Sequence, residues 1–224
     1  MALRPAFIFD LDGTLVDTAP DLLAATNAVL VAHGQQPVDP KTLRHLVGHG
    51  ASRLIEDAFA ATGAPVHQDH LPALVSEFVA HYRDHIADHS KVFPGVELTL
   101  SHLRLADARL GVLTNKPQEL TDRLLPALGL TSYFSAVYGA GRMSYTKPDA
   151  RIFHDVVRDL GGGAQGPAIM IGDSLTDVKT ARAAGVPVIL VNYGYTPEPA
   201  ETLGADAVTG DFHEIPKLAA QLLG

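Results

Sequence analysis

The chain contains no cysteine, which excludes disulfides, zinc–thiolate sites, iron–sulfur clusters and thiol catalysis, and fits a reducing compartment. It is short of basic residues: 17 Lys and Arg against 25 Asp and Glu give a net charge of -8 over 224 residues. That is the wrong sign for tracking a polyphosphate backbone, so nucleic acid is not an expected partner. No apolar run reaches membrane-spanning length, and Met1 to Pro5 leads into Ala6-Phe7-Ile8-Phe9 without a basic segment or a small-residue cleavage site. A cytoplasmic protein with no membrane partner is expected. Internal repeats, heptads and low-complexity tracts are also missing. What is present, 46% hydrophobic and 19% charged residues, is the composition of a folded globular protein, long enough for a main domain carrying an insertion.

Five short apolar runs bounded by turn residues predict buried strands: Ala6 to Phe9, Leu110 to Leu113, Ala136 to Tyr138, Ala168 to Ile171 and Val188 to Val191. Helical patterns over Thr99 to Leu105, Glu119 to Leu128, Ala150 to Leu160 and Asp177 to Ala184 separate the later runs. The alternation predicts an α/β fold with a doubly wound parallel sheet. Between the first run and the second the pattern is helical only. Leu22, Ala25, Thr26, Val29 and Leu30 share one face, as do Ala51, Leu54, Ile55, Ala58 and Phe59, and then Leu71, Leu74, Val75, Phe78, Val79 and Tyr82. Residues 17–89 are therefore expected to form a helical insert, with residues 1–16 and 90–224 forming the sheet domain.

Chemistry-bearing residues recur where strands end. The first strand runs into Asp10-Leu11-Asp12-Gly13-Thr14, the second into Thr114-Asn115-Lys116-Pro117, the third is followed by Lys147-Pro148-Asp149, and the fourth ends in Gly172-Asp173-Ser174-Leu175-Thr176-Asp177. In an open parallel sheet ligands collect at the carboxyl ends of the strands, so these side chains are placed for one crevice. Each also has a plain structural explanation: a solvated Asp-Gly turn, a helix cap at Thr114, a surface lysine at 147, a turn and an N-terminal helix charge at Asp173 and Asp177. Four such coincidences in one chain favour a site.

In this order the four segments resemble the motifs of the haloacid dehalogenase superfamily of phosphohydrolases, over the whole chain. The resemblance implies a core of that fold with the insert as a helical cap domain, Asp10 as nucleophile, and Asp12 as general acid/base. It further implies Thr114 and Lys147 as phosphate binders, with Asn115 beside them, and Mg2+ held by Asp10, Asp173 and the backbone carbonyl of Asp12. Thr14 and Asp177 are implied as supports. The chemistry agrees, because a carboxylate approaching a phosphate dianion meets like-charge repulsion that a hard, oxygen-ligated cation offsets. An aspartyl phosphate would split hydrolysis into two displacements.

Leu46-Val47-Gly48-His49-Gly50-Ala51, Val16-Asp17-Thr18-Ala19-Pro20-Asp21-Leu22 and Asn192-Tyr193-Gly194-Tyr195 resemble phosphoglycolate phosphatases, although relatives acting on sugar phosphates share parts of them. Residues 17–89 hold nine acids and four Lys or Arg, and Lys41, Arg44 and Arg53 flank the Gly48-His49-Gly50 loop. A substrate carboxylate is expected to meet Arg53 or His49, near Gly50. The small phosphomonoester expected is thus 2-phosphoglycolate, with a sugar phosphate as the alternative. A phosphoryl-accepting signalling module is the rival of another class, disfavoured by the insert and by Asp12; the oligomeric state is left open. Two further patterns carry no function: Gly161 to Gly166 fits a dinucleotide-binding signature but follows a helix, and His81, His85 and His89 read as a polar helix face rather than a zinc site.

Overall fold

Period-two alternation along the first strand sets the layers of the molecule: Phe7 and Phe9 enter one hydrophobic cluster, Ala6 and Ile8 the other. The computed structural model describes residues 4–44, 46–48, 50–161 and 166–224. In chain order the elements are β1 (Ala6–Phe9), β2 (Val16–Asp17), α1 (Ala19–Ala32), α2 (Pro40–Arg44), α3 (Ala51–Ala61), α4 (Leu71–Asp84), β3 (Lys91–Val92) and α5 (Val96–Leu105). They continue with β4 (Arg109–Pro117), α6 (Gln118–Ala127), β5 (Ala136–Ala140), α7 (Ala150–Asp159), β6 (Ala168–Gly172), α8 (Leu175–Ala184), β7 (Val188–Val191), β8 (Ala207–Thr209) and α9 (Ile215–Leu223).

Six strands form one parallel sheet in the order β5-β4-β1-β6-β7-β8. β1 lies between β4 and β6, pairing Phe9 with both Val112 and Ile171. The strand order reverses there, which is where such sheets open a crevice. On one face Phe7, Phe9, Ile169 and Ile171 pack against Leu100, Leu124 and Ile215; on the other Ile8, Met170 and Leu190 pack against Phe153, Val156 and Val178. Burying a side chain of this size is worth about 1.5–3 kcal/mol, and most of these residues are fully buried.

All five expected strands form, and the structure adds to them. β4 continues through Thr114 to Pro117 with a register shift against β5. β8 was too short and too half-buried to show a pattern, and β2 and β3 make a two-residue antiparallel pair. The helices α1–α4 lie between β2 and β3 and bury Leu30, Ile55, Phe78 and Tyr82 in a third cluster, which Leu120 of α6 joins. Asp21 ties the two ends of this segment: its buried carboxylate accepts hydrogen bonds from the backbone N–H groups of His89 and Ser90 and from the Ser90 hydroxyl. Among the described residues no helix is long and apolar enough to cross a membrane.

Candidate active site

At the end of β1 the chain turns at Gly13, whose φ of +81° suits glycine. A Cβ there would lie 2.4 Å from Asp173 Oδ2, so the turn also brings backbone onto that carboxylate. Asp10 is buried at the strand end; its Oδ1 accepts from the Leu11 N–H at 2.7 Å and pairs with Lys147 Nζ at 3.0 Å. No donor among the described residues bonds its Oδ2. Lys147 also pairs with Asp177 Oδ1 at 2.6 Å.

Asp177 is set by local helix chemistry. It is the third residue of α8 and forms a capping box with Ser174, its Oδ2 accepting from the Ser174 hydroxyl and N–H and from the Asp173 N–H. Asp173 accepts from the Tyr195 N–H at 2.8 Å and from the Thr14 hydroxyl at 3.4 Å. Carboxylate oxygens of Asp10, Asp173 and Asp177 all lie within 4.8 Å of one another. Both oxygens of Asp177 serve close protein donors, whereas Asp173 Oδ1 has only the long Thr14 contact at 3.4 Å and Asp10 Oδ2 has no donor among the described residues, so these two oxygens are the ones best placed to face a ligand.

Burial dominates the electrostatics. It raises the Asp10 pKa to about 7, with Lys147 opposing and Asp177 adding to the rise. Burial likewise holds Asp173 well above the usual carboxylate range, reinforced by Asp177 and Asp10. Burial pulls Lys147 down, but Asp10 and Asp177 outweigh it and keep the ammonium above its ordinary value. Several buried carboxylates that resist ionisation are a donor set short of positive charge, and a hard divalent cation such as Mg2+ fits it.

A cavity opens between this cluster and the helical insert. Asp10, Asp12, Thr114 and Asn115 line it from the sheet side, and Gly50 from the start of α3. Thr114 is buried and accepts from the Lys116 N–H. Asn115 donates from Nδ2 to the Lys147 carbonyl at 3.2 Å, and its buried Oδ1 has no partner among the described residues. Gly50 precedes α3 with φ +88°, and a Cβ there would sit 3.6 Å from the Asn115 carbonyl oxygen. The expected Asp10, Asp12, Thr14, Thr114, Asn115, Lys147, Asp173 and Asp177 are therefore together.

The expected substrate contacts fare differently. Arg53 is exposed, bonds Asp57 at 2.8 Å and Glu56 at 3.1 Å, and is not among the residues lining the cavity. One turn into α3, its long side chain finds its own helix's acids before it finds the crevice. His49 lies outside the described residues, as does most of the Gly161 to Gly166 loop.

Sequence reasoning missed Lys116, Tyr82 and Tyr195. Lys116 is buried, pairs with Asp12 Oδ1 at 3.1 Å and donates to the Tyr82 hydroxyl of α4 at 2.8 Å. Burial pulls its pKa down, with Asp12 opposing. Asp12 also accepts from the Thr18 hydroxyl at 2.8 Å. The Tyr195 hydroxyl accepts from the Thr18 and Ala19 N–H groups and donates to Asp17. A lysine shortly after a strand end was a usable signal for Lys116; Tyr82 read only as part of an apolar helix face, and Tyr195 only as part of a segment resembling phosphoglycolate phosphatases, with no role assigned to it.

Comparison with known proteins agrees with this geometry. The model of the haloacid dehalogenase-like hydrolases matches residues 7–191. A phosphoglycolate phosphatase of Caulobacter vibrioides is 48% identical over 215 residues, 96% of this chain and 90% of that protein. One of Agrobacterium fabrum is 42% identical over 210 residues, 94% of this chain and 90% of that protein. The crystal structure of a predicted phosphoglycolate phosphatase from Haemophilus somnus superposes with a TM-score of 0.87 at 27% identity, covering 97% of this chain and 99% of the other. With the parallel sheet, the strand-end acids and the lysine between them in place, the match identifies the chain as a member of the haloacid dehalogenase-like hydrolase family.

Proposed function

We propose that this chain is a Mg2+-dependent phosphomonoesterase that hydrolyses 2-phosphoglycolate to glycolate and phosphate through an aspartyl phosphate on Asp10. The observation that carries the reading is the Asp10 carboxylate at the cavity, with one oxygen anchored by Leu11 and Lys147, the other without a donor among the described residues, and Asp173 beside it. Asp10 Oδ2 attacks phosphorus as the ester bond breaks. Lys147 and the Thr114 hydroxyl, with Asn115 beside them, hold the phosphoryl oxygens. Asp10, Asp173 and the Asp12 backbone carbonyl would hold Mg2+, which when bound would supply the positive charge that offsets the repulsion between nucleophile and phosphate.

Asp12 gives a proton to the departing glycolate oxygen and then takes one from the water that opens the aspartyl phosphate, releasing inorganic phosphate and restoring Asp10. Thr18 and Lys116 hold its carboxylate in place. Asp177 and Thr14 position Lys147 and Asp173. The insert, residues 17–89, acts as a cap: its apolar side chains roof the cavity, exclude bulk water and limit the leaving group. The relatives' names and the largely apolar roof, which offers few partners for sugar hydroxyls, support a short leaving group over a sugar.

A kinetic panel tests this. Sustained release of phosphate from 2-phosphoglycolate, with kcat/KM well above that for sugar phosphates, is expected. A single stoichiometric labelling of the protein would replace the reading with a phosphoryl-accepting module, and a preference for a sugar phosphate would move the substrate.

A further inference from the structure

We infer that Lys116 is the anchor for the substrate's carboxylate, held at the cavity wall by the Tyr82 hydroxyl, so that the site selects phosphomonoesters whose leaving group bears a carboxylate next to the ester carbon. The inference rests on the phosphoglycolate reading above and adds the residue that makes the selection. Four observations carry it.

The first is supply. Among the described residues lining the cavity, Lys116 is the one cation. The insert contributes mainly apolar groups there, Leu22, Val47, Leu54 and Phe78 among them, and Arg53 is turned to its own helix. A second negative charge entering an apolar cavity needs a counter-charge inside it.

The second is position. Lys116 Nζ stands 3.1 Å from Asp12 Oδ1, and Asp12 serves the ester oxygen. In glycolate the carboxylate carbon is two bonds from that oxygen. A group hydrogen-bonded to Asp12 through its ester oxygen therefore carries its carboxylate into the reach of Lys116, whereas a longer leaving group would carry a distal anion past it.

The third is capacity. An ammonium has three N–H donors. Among the described residues Lys116 Nζ donates to the two Asp12 oxygens at 3.1 and 3.4 Å and to the Tyr82 hydroxyl at 2.8 Å, so a substrate carboxylate takes over the donor of the longer Asp12 Oδ2 contact.

The fourth is fixity. The Lys116 side chain is only 2% exposed, and its Nζ sits 4.3 Å from the centre of the Tyr82 ring. Tyr82 is itself fully buried among the helices of the insert. A lysine pinned in this way loses little freedom on binding, so its hydrogen bond discriminates well. The pairing also joins the insert to the acid/base residue: the α4 hydroxyl touches the ammonium that touches Asp12.

The plainer reading makes Lys116 only a counter-ion for Asp12. The two differ in which substrates suffer when it is removed. The test compares 2-phosphoglycolate with 2-hydroxyethyl phosphate, a neutral-leaving-group ester of similar length, on wild type, Lys116→Met and Tyr82→Phe. We expect Lys116→Met to lower the kcat/KM ratio of the two esters at least about tenfold, the loss of one charge-assisted hydrogen bond. Tyr82→Phe keeps the ring and its packing, and is expected to raise KM severalfold more for 2-phosphoglycolate than for 2-hydroxyethyl phosphate.

If both esters lose activity together in Lys116→Met and the ratio is kept, Lys116 acts through Asp12 and the inference is overturned while the phosphoglycolate reading stands. Should Lys116→Met not fold, an unchanged ratio in Tyr82→Phe overturns it on its own. A wild type without preference for the carboxylate ester would instead remove the substrate reading on which it rests.

Discussion

The two walls of the cavity are built on opposite principles. On the sheet side, Asp10 and Asp12 of the wall, and Asp173 and Asp177 next to Asp10, are each tethered by N–H groups, hydroxyls or ammonium groups at 2.6 to 3.4 Å. On the insert side, Leu22, Val47, Leu54 and Phe78 present hydrocarbon, and the Tyr82 hydroxyl is the polar contact that crosses to Asp12's partner. Directed hydrogen bonds fix atoms to fractions of an ångström, whereas apolar packing fixes only a shape. The chemistry is therefore expected to reside in the sheet wall and the choice of substrate in the roof, with Lys116 between them.

The sharpest way to break that division is Asp10→Asn. The amide offers no comparable nucleophile, so kcat is expected to fall more than about 10⁴-fold while circular dichroism and the melting transition stay native-like; activity above a hundredth of wild type would end the mechanism. Asp12→Asn comes next, with a loss of about 10²–10⁴-fold in kcat. In rapid-quench experiments its loss in the phosphorylation step should shrink for aryl phosphates, whose leaving groups need no proton. Equal losses for aryl and alkyl esters would take the acid role away from Asp12.

Stability should follow a different map from activity. Asp21→Ala strips the acceptor from three donors at the far end of the insert, and urea unfolding is expected to show about 2–3 kcal/mol of destabilisation, with the ratio of substrate preferences unchanged. Leu54→Ala enlarges the roof and should relax discrimination against bulkier phosphomonoesters by about tenfold; selectivity that survives this change would mean the roof does not choose.

The smallest effect is a pH dependence of stability. Asp10, raised to about 7 by burial, keeps a proton in the folded state that the unfolded chain releases near pH 4, and Asp173 shifts the same way. The folded state therefore binds more protons between those values, and the metal-free protein should lose stability as pH rises from about 4 through about 7. Added Mg2+ should restore it by a few degrees at pH 8 and by less at pH 5, read in melts with and without chelator.

The legible and illegible parts of this molecule divide by range. β1 and its neighbours were readable because runs such as Ile169 to Ile171 are buried on both faces, and α1, α3 and α4 because one face of each is apolar. β8 was not, since three residues at a sheet edge, two of them half-buried, are too few to show a period. The strand-end acids were legible because the carboxyl edge of a parallel sheet lies directly after its apolar runs, so residues that gather there stand next to those runs in the sequence. The misplacement of Arg53 and the neglect of Lys116 share one cause: charge counting along a sequence cannot see that Glu56 and Asp57 capture the first and that the second is sealed beneath α4.

By itself, the sequence determined the sheet, the helical insert and the residues that gather at the strand ends, because hydrophobic period and turn chemistry act over a few neighbouring residues. Tertiary structure alone decided which cation reaches Asp12, that Tyr82 meets Lys116 across 34 positions of chain, and that Asp177 spends both oxygens on the protein. Those pairings arise where desolvated groups must find partners in three dimensions, and a buried charge takes whichever counter-charge the packing brings to it.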